Sequence, residues 1–350
     1  MRLLYDAYWW TSGPPSNREV MREILTNLVS DHPDEVTIFT KATEAESVVA
    51  EIVAATGVTL PFVTTRIKPH GVALLVDFQR HASSGRYDAV LTHNFSVSHP
   101  RSAVFLQDVL FVTNPEWFTW LERRYFSLMT RTVGRAEIVF ASSRAEAERI
   151  RRVTRARRIE VVGLAPRQSM LRTPAVAPSA AIAAGRYVLC VGRMNVRKNV
   201  RRAVDAALQL PATLAEQIVV VGGDIPAEWA AEESVRLARE SGRLVAPGFI
   251  SEGELRWLYE NAAVVVMPSL GEGFGMPVAE AALFHRPIVA RDIGPFREIA
   301  DGVVFVDPHS VDSIREGLER ALRSPARTRI RPGYEWSTVT ARIREHMAAG

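Results

Sequence analysis

A glycine-rich loop between a buried strand and a helix is the part of the sequence best suited to chemistry. Residues 264–280 read VVVMPSLGEGFGMPVAE, so that the strand ends near Met267 and Pro277 marks the start of the helix. The backbone N–H groups and the dipole of such a helix start attract anions, and glycines allow a phosphate to approach the backbone. We therefore expect this loop to bind a phosphate group.

Two carboxylates accompany the glycines, with Glu272 in the loop and Glu280 inside the helix. The loop is neither a Walker loop, which requires Gly-Lys-Ser/Thr, nor a dinucleotide fingerprint, because Met276 stands at the last glycine position. A carboxylate near a phosphate is costly unless ligand hydroxyls donate hydrogen bonds to it, as sugar and ribose hydroxyls do. The pattern therefore favours a sugar nucleotide. The alternative is that Glu280 only caps or solvates its helix.

A second segment supplies positive charge. Residues 187–199 read YVLCVGRMNVRKN, in which a buried strand ends at Gly192 and is followed by Arg193, Arg197 and Lys198. Cations at the carboxyl end of a parallel strand suit a diphosphate. The chain has 40 Arg and only 3 Lys, so a lysine at this point indicates a need for a compact charge. An isolated basic loop would simply be solvated, but its combination with the glycine loop favours binding.

Short apolar runs alternate with helical stretches along the whole chain, which is typical of parallel sheets covered by helices. The expected strands are 3–7, 36–40, 89–92, 103–106, 138–141, 159–162, 187–191, 218–221, 244–246, 264–267, 287–290 and 303–306. Helices are expected between them, for example over 17–29, 115–133 and 228–240. We predict an α/β protein of two Rossmann-like domains, 1–165 and 186–330, whose parallel sheets face each other across a cleft. The Ala-, Pro- and Ser-rich segment 166–185 is the expected linker, and a single eight-stranded barrel is the structural alternative.

The composition excludes several other classes of protein. With 47% hydrophobic and 23% charged residues, the chain is neither disordered nor collagen-like. The single cysteine, Cys190, excludes an internal disulfide and cysteine-based zinc or iron–sulfur sites, and it fits a reducing compartment. Neither a membrane-spanning apolar run nor a signal-peptide stretch is present, so we expect a cytoplasmic protein.

The two segments together resemble the donor site of retaining glycosyltransferases of the GT-B fold, family 4 (glycosyl transferases group 1). The matching residues are Val191-Gly192-Arg193, Arg197-Lys198-Asn199, Gly248-Phe249, Pro268-Ser269, Glu272-Gly273-Phe274-Gly275, Pro277 and Glu280-Ala281. The pattern continues in Pro287-Ile288-Val289-Ala290, Glu298 and Asp307-Pro308. The resemblance covers most of 187–325 and is weaker over the N-terminal half.

The resemblance implies roles for individual residues. Arg193 and Lys198 would bind the donor diphosphate and stabilise the leaving group. Glu272 would approach the transferred sugar, and Glu280 would hold the ribose hydroxyls. The other implied donor-binding residues are Gly13, Gly192, Gly273, Phe274, Gly275, Met276, Phe249 and Ile250. The closing helix, 334–350, would return to the N-terminal domain.

No metal and no cofactor are expected beyond the nucleotide-diphosphate sugar that serves as donor. The chain has no Asp-x-Asp pair, the usual motif of a metal-bridged diphosphate, so fixed cations and a helix dipole would neutralise the diphosphate instead. In the family that it resembles, the acceptor hydroxyl attacks from the leaving-group face and gives its proton to the donor phosphate. A protein nucleophile is then not required, and the sequence offers no convincing one.

Four residues of the N-terminal half are expected to contact the acceptor or the transferred sugar. His93 and Asn94 end one strand, and Gln107 and Asp108 end another. A structural role as a satisfied buried residue is the alternative for His93. The family often has a histidine where this chain has Gln107, and that histidine commonly contacts the 6-hydroxyl of the sugar, which raises the hypothesis of a deoxy-sugar donor. Ser142-Ser143-Arg144 also match the family and are interpreted first as a helix cap.

The stretch from Arg123 to Arg158 is strongly basic, with 11 Arg against 3 Glu. It is preceded by or contains the aromatic residues Phe111, Trp117, Phe118, Trp120, Tyr125 and Phe126. Basic and aromatic residues on one helix favour contact with an anionic membrane surface, and a solvated helix whose aromatics lie in the core is the alternative. Nucleic acid is not expected as a partner, because no reader motif appears.

The sequence thus predicts a metal-independent, retaining glycosyltransferase. It would move a hexose or deoxyhexose from a nucleotide-diphosphate sugar to a glycan or lipid-linked acceptor, in bacterial surface polysaccharide or glycolipid biosynthesis, at the inner face of the membrane. Two alternatives remain open. One is a sugar-nucleotide epimerase of the same fold, and the other is a nucleotide-sugar-binding protein without turnover.

Overall fold

The structure is a computed structural model that describes residues 1–31, 35–178 and 182–348. The chain divides into two compact units, each with its own parallel sheet. Unit 1 consists of Met1–Ala165 and Gly333–Gly350, and unit 2 consists of Pro166–Pro332. Because the strands form two open sheets rather than one closed one, the barrel alternative is wrong.

Unit 1 contains a seven-stranded sheet whose strands are ordered β3-β2-β1-β4-β5-β6-β7. These strands are β1 (Arg2–Asp6), β2 (Glu35–Lys41), β3 (Phe62–Thr65), β4 (Ala89–His93), β5 (Ser102–Leu106), β6 (Ile138–Ala141) and β7 (Ile159–Val161). The α-helices of the unit before the chain enters unit 2 are α1 (Pro15–Asp31), α2 (Ala45–Thr56), α3 (His70–Ala73), α4 (Gln79–Ala82), α5 (Leu110–Thr113), α6 (Trp120–Thr132) and α7 (Arg144–Val153). A π-helical segment, Leu74–Phe78, joins α3 to α4, and 3₁₀ turns span Pro115–Trp117 and Val133–Arg135.

Unit 2 contains a six-stranded sheet ordered β10-β9-β8-β11-β12-β14. Its strands are β8 (Tyr187–Val191), β9 (Gln217–Val221), β10 (Leu244–Gly248), β11 (Val264–Met267), β12 (Ile288–Arg291) and β14 (Val304–Val306), with an antiparallel pair of β13 (Ala300–Asp301) and β15 (Arg329–Ile330). Its helices are α8 (Gln168–Arg172), α9 (Val200–Leu208), α10 (Ala227–Ala230), α11 (Glu233–Glu240), α12 (Glu252–Asn261), α13 (Met276–Leu283), α14 (Gly294–Ile299) and α15 (Val311–Arg323). A 3₁₀ turn, Val196–Lys198, precedes α9.

The burial of the central strands explains why they read as continuous apolar runs. Every residue of β4, β5, β6 and β11 is buried. A parallel strand covered by helices on both faces has no solvent side and therefore shows no alternation of polar residues. The register places Val188 of β8 beside Val264 of β11, so that both strands end at the same edge of the sheet.

The last helix, α16 (Trp336–Ala348), belongs to unit 1. Trp336 is buried there, and Arg344 donates a hydrogen bond to the carbonyl of Leu28 at α1. The final two residues of the predicted helix 334–350 lie outside the described residues. No helix in the described part of the chain is long and apolar enough to cross a membrane.

Four details differ from the expected elements. The strand β3 (Phe62–Thr65) was not expected, because it is a short edge strand with only one buried residue and so lacks a continuous apolar run. The predicted helix 115–133 is interrupted before Thr119, which caps α6, and the predicted helix 228–240 is divided into α10 and α11. Within the predicted linker 166–185, the structure has the helix α8, while residues 179–181 lie outside the described part.

Candidate functional site

Asn199 joins the loops that follow β8 and β11 in unit 2. Its backbone is left-handed, with φ of 53°, and its side-chain amide donates hydrogen bonds to the carbonyls of Pro268 at 3.1 Å and Pro308 at 2.7 Å. The backbone N–H of Leu270 also donates to the carbonyl of Arg197 at 2.7 Å. The structure therefore brings the basic turn and the glycine loop together at the carboxyl edge of the sheet.

Glu272 is the centre of this arrangement. Its two oxygens accept hydrogen bonds from Nζ of Lys198 and from a guanidinium N–H of Arg197, each at 2.7 Å. The Glu272 side chain is only 6% exposed. Burial alone would raise its pKa, but the charges of Lys198 and Arg197 outweigh burial and lower the pKa to about 2. Glu272 is thus a buried carboxylate that holds two cations in place.

Arg193 differs from these two cations because it is exposed. Within the described residues it has no carboxylate partner, so its charge is available at the end of β8. Gly192 precedes it with φ of +152°, and a Cβ atom there would lie 3.2 Å from the side chain of Lys198. A glycine at this position therefore leaves room for the lysine beside the strand end.

The loop before α13 is closely packed. Glycine is required at position 275, where φ is +112° and a Cβ atom would lie 2.4 Å from the ring of Phe296. Gly273 and Phe274 are buried, and Met276, the first residue of α13, is partly exposed. The glycine at 275 thus serves the packing of the loop on Phe296 in addition to any approach of a ligand.

Glu280 neither caps its helix nor faces solvent, so that alternative is wrong. Its Oε1 accepts a hydrogen bond from Arg167 at 2.9 Å, and its Oε2 accepts one from the hydroxyl of Tyr259 at 3.0 Å. The side chain is 4% exposed. Arg167 also lies 3.7 Å from Glu252 of α12, which fixes the guanidinium from a second side. A buried charge of this kind is retained because it is paired.

The remaining predicted donor residues of unit 2 lie beyond β10. Phe249 is 92% exposed and Ile250 is partly exposed. They follow Gly248, whose φ of +75° turns the chain, and precede Ser251, which caps α12. The exposed ring of Phe249 therefore adds an apolar surface beyond the carboxyl end of β10.

In unit 1, the loop of Gly13 follows β1. Gly13 has φ of +150°, and a Cβ atom there would lie 2.7 Å from the ring of Trp9. The loop is tied down by Lys41, whose ammonium binds Ser12 and both oxygens of Glu44. The glycine therefore allows Trp9 to pack across the backbone of this loop.

The other four predicted residues of unit 1 form part of its hydrogen-bonded framework. Nε2 of His93 lies 2.9 Å from the hydroxyl of Tyr5, and burial lowers the pKa of His93 to about 4. Oδ1 of Asn94 accepts a hydrogen bond from the backbone of Gln107 at 3.1 Å, and Asp108 accepts one from a backbone N–H nearby. These contacts support the structural alternative for His93. Gln107 and Asp108 are both partly exposed.

Sequence reasoning did not identify several charged residues at these edges. In unit 1, Asp6 at the end of β1 binds His70 at 2.8 Å, and both side chains are buried. Burial, with Asp108 nearby, raises the pKa of Glu146 to about 8. An acid that ends an apolar strand is a signal that could have pointed to Asp6. No local pattern marks Arg167, because its partner Glu280 is distant in the sequence.

The comparison with protein families adds a second line of argument. Residues 177–335 match the family described as "Glycosyl transferases group 1". The serotype-specific mannosyltransferase WbdA of Escherichia coli is 30% identical over 146 residues, which are 40% of this chain and 18% of that protein. The chain therefore matches only about a fifth of the length of that relative.

Solved structures resemble the whole chain. HepE of Anabaena, in a complex with UDP and glucose, aligns with a TM-score of 0.67 and 18% identity over 100% of both chains. The UDP-GlcNAc 2-epimerase of Methanocaldococcus jannaschii aligns with a TM-score of 0.62 and 12% identity over 100% of both chains. At these identities the likeness concerns the fold. Residues 177–335 thus resemble the glycosyl transferases group 1 family, within a chain that has the α/β, two-domain GT-B fold.

Proposed function

We propose that this protein is a retaining glycosyltransferase. It transfers a hexose or deoxyhexose from a nucleotide-diphosphate sugar to a glycan or lipid-linked acceptor. The observation that carries the proposal is the buried contact of Glu272 with Lys198 and Arg197, at 2.7 Å each, inside the segment that matches the family. The two fixed cations and the glycine loop therefore lie together at the carboxyl edge of the sheet, which is where ligands bind in open α/β sheets.

The cations account for binding of the diphosphate. The ammonium of Lys198 has three donors, of which Glu272 occupies one, so the others can serve phosphate oxygens. The exposed guanidinium of Arg193 adds a second positive group at the end of the same strand. As the bond from the sugar to the phosphate breaks, negative charge grows on the diphosphate, and cations already in place stabilise it without reorganisation. This is the reason for proposing transfer without a metal ion.

The proposed reaction needs no protein nucleophile. The acceptor oxygen forms a bond to the anomeric carbon while the bond to the donor phosphate breaks, and the acceptor proton passes to that phosphate. Attack from the face of the leaving group retains the anomeric configuration. Glu272, whose pKa is about 2, stays ionised throughout and balances the cations before and after the diphosphate leaves.

Glu280 is proposed to hold the ribose. Arg167 and Tyr259 each donate one hydrogen bond to its carboxylate, whereas an ionised carboxylate accepts about four. The remaining lone pairs suit the two hydroxyls of a ribose. Because both protein donors fix the orientation of the carboxylate, the ribose would meet a preorganised acceptor.

The names of the relatives support a class of product for the reaction. WbdA is described as a serotype-specific mannosyltransferase. A second relative, an O-antigen chain mannosyltransferase of Escherichia coli, is 28% identical over 39% of this chain. HepE was crystallised with UDP and glucose. By these similarities we propose that the protein builds a surface polysaccharide or glycolipid in the cytoplasm, from a sugar nucleotide.

Ligand screening followed by a transfer assay tests the proposal. Thermal unfolding is measured with UDP, GDP, dTDP and ADP, because a ligand at a hundredfold over its Kd stabilises the protein by about 2.7 kcal/mol. The sugar nucleotides of the best base are then incubated with the protein. Without acceptor, an isomerised sugar would identify the epimerase alternative. Binding without any isomerisation, hydrolysis or transfer would identify the binding-protein alternative.

A further inference from the structure

The ends of β8 and β9 touch each other through glycine backbone at the carboxyl edge of unit 2. A Cβ atom at Gly222 would lie 2.6 Å from the carbonyl oxygen of Gly192, and Gly222 has a φ of +116°. Gly223 follows with a φ of +152°. Glycine is therefore required where the two strand ends meet, and a flat ligand group can approach this backbone closely.

Asp224 comes directly after these glycines and is exposed. Its Oδ1 lies 3.4 Å from the position that a Cβ atom at Gly248 would occupy, so the carboxylate lies against the turn that follows β10. Within the described part of the chain, this carboxylate has neither a cation nor a hydrogen-bond donor as a partner. The next residue of the turn is Phe249, whose side chain is 92% exposed. An unpaired carboxylate and an exposed aromatic ring therefore follow two neighbouring strands at the same edge.

The same turn adjoins the proposed ribose site. Phe249 lies shortly before Glu252, the first residue of α12. Arg167 lies 3.7 Å from Glu252 and 2.9 Å from Glu280, so that one guanidinium joins the two carboxylates. A nucleotide whose ribose contacts Glu280 would therefore have its base near the turn of Gly248 and Phe249.

The chemistry of the base must suit the carboxylate of Asp224. Two anions in one site repel each other, unless the carboxylate accepts hydrogen bonds from the ligand. Guanine presents an N1–H and an N2 amino group side by side, and these two donors match the two oxygens of a carboxylate. Uracil and thymine present one N–H between two carbonyl oxygens, and adenine and cytosine present an amino group beside an acceptor nitrogen. Among these bases, guanine alone offers a donor to each carboxylate oxygen.

We propose that the donor is a guanosine-diphosphate sugar and that Asp224 selects its base. The oxygens of Asp224 accept hydrogen bonds from N1–H and from the N2 amino group of guanine, and the ring of Phe249 stacks on the base. Stacking suits every base, so it contributes affinity, whereas the carboxylate decides which base is bound. The inference rests on the proposed function, which leaves the nucleotide open, and it narrows the donor to one base.

Isothermal titration of the full chain with nucleoside diphosphates tests the base. We expect GDP to bind at least tenfold more tightly than UDP, dTDP or ADP. IDP has the ring system of GDP but lacks the N2 amino group, so it should also bind at least tenfold more weakly than GDP. Equal binding of GDP and IDP, or tighter binding of any other base than of guanine, would overturn the proposal.

Exchange of the carboxylate for an amide should change the preferred base. In Asp224→Asn the side chain accepts one hydrogen bond and donates one, so it matches xanthine, which has a carbonyl in place of the N2 amino group. We expect this variant to bind GDP at least tenfold more weakly than the unchanged protein does, and XDP at least tenfold more tightly. A loss of GDP binding without a gain for XDP would give Asp224 a structural role and overturn the proposal. Asp312→Asn on α15, with a side chain that is 78% exposed, is the matched control and should keep the original order of affinities.

A second variant tests the aromatic ring. Phe249→Ala should weaken the binding of all the nucleoside diphosphates by a similar factor of at least fivefold, while inorganic pyrophosphate binds as before. Leu237→Ala on α11 removes another exposed apolar side chain of unit 2 and should bind like the unchanged protein. A loss confined to GDP in Phe249→Ala would show that the ring rather than Asp224 selects the base.

Failure of the base assignment differs from failure of the proposed function. If UDP or another diphosphate binds more tightly than GDP, the choice of guanine is wrong, but a nucleotide-diphosphate donor is still supported. If neither the nucleoside diphosphates nor inorganic pyrophosphate bind, the diphosphate site itself is wrong and both proposals fail.

Discussion

Nζ of Lys198 lies 2.7 Å from Oε1 of Glu272, although 74 positions separate the two residues in the sequence. Lys198 follows β8 and Glu272 follows β11, which are neighbours in the sheet of unit 2. The two residues meet because β8 and β11 are neighbours in the sheet. Their ion pair in turn stabilises this arrangement of the two strands. A substitution at either residue should affect both stability and donor binding, and the two effects can be separated.

The first prediction separates them with a double variant. Lys198→Met leaves the buried Glu272 with Arg197 alone, so we expect a loss of about 3 kcal/mol in the free energy of unfolding. Lys198→Met with Glu272→Gln removes both charges and should recover most of that loss. Transfer should be abolished in both, because the diphosphate has lost its point charge. Urea unfolding and a transfer assay measure the two quantities.

A purely structural ion pair between Lys198 and Glu272 predicts a different result for the double variant. If the double variant recovers both stability and transfer, Lys198 acts only as a partner of Glu272 and the assigned role in catalysis is wrong. Arg186→Met with Glu216→Gln removes an exposed ion pair of the same unit, with N···O of 2.6 Å, and is the control. That control should change stability by less than about 1 kcal/mol.

The second prediction concerns acid pH. The pKa of Glu272 is about 2 in the folded protein, against an ordinary value of 4.5. A lowered carboxyl pKa contributes stability that is complete above pH 4.5 and is lost as the pH falls towards 2. The loss amounts to roughly 3 kcal/mol for this group. Glu272→Gln should therefore be less stable than the unchanged protein at pH 6, and the difference should shrink below pH 4 in urea titrations.

Much of the site in unit 2 could be predicted from sequence because its residues cluster in two short segments. Glycines, a proline at a helix start and adjacent cations are local signals, and they located the loops around Lys198 and Glu272. Asn199 and Arg197 stood in the same motif. Their roles depend on contacts with backbone carbonyls and with Glu272 across the sheet, which no local pattern encodes.

The parts that sequence reasoning did not predict depend on partners that are distant in the chain. Glu280 is held by Arg167 and Tyr259, whose separations in sequence are 113 and 21 residues. The strand β3 was overlooked because an edge strand buries little and shows no apolar run. The nine expected strands that lie between two neighbours in their sheets were found because burial under helices leaves a continuous apolar signal.

The third prediction tests the ribose role of Glu280. Tyr259→Phe removes the hydroxyl that donates to Oε2 at 3.0 Å, which should cost about 1–2 kcal/mol in stability. With its orientation loosened, Glu280 should bind the nucleotide several-fold more weakly, while inorganic pyrophosphate binds as before. Isothermal titration measures both affinities.

The control for this prediction is another buried tyrosine of unit 2. Tyr187→Phe removes a hydroxyl that donates to the carbonyl of Leu258 at 2.7 Å and is not bonded to Glu280. It should cost similar stability without a selective effect on the nucleotide. Equal losses for nucleotide and pyrophosphate in Tyr259→Phe would assign Glu280 a structural role.

The fourth prediction concerns the glycine loop. Gly275→Ala places a Cβ atom 2.4 Å from the ring of Phe296 at a φ of +112°, so we expect a loss of more than about 2 kcal/mol. Gly242→Ala is the matched control, because its φ is +73° and nothing lies within 4 Å of the added atom. That variant should lose only about 1 kcal/mol. Similar losses in urea unfolding would show that backbone strain rather than the contact with Phe296 decides the effect.

The fifth prediction separates the two roles considered for His93. Burial lowers its pKa to about 4 from an ordinary value of 6.5, so the unfolded chain binds its proton first as the pH falls. Stability should therefore decrease between pH 6.5 and pH 4, by roughly 3 kcal/mol from this group. His93→Gln cannot be protonated but can still bind the hydroxyl of Tyr5, and it should show a smaller decrease in urea titrations.

His99→Gln is the control for this prediction. An equal decrease in both variants and in the unchanged protein would mean that another group is responsible. If His93→Gln flattens the profile while transfer to an acceptor persists, His93 is a structural residue, whereas selective loss of transfer would return it to the acceptor site.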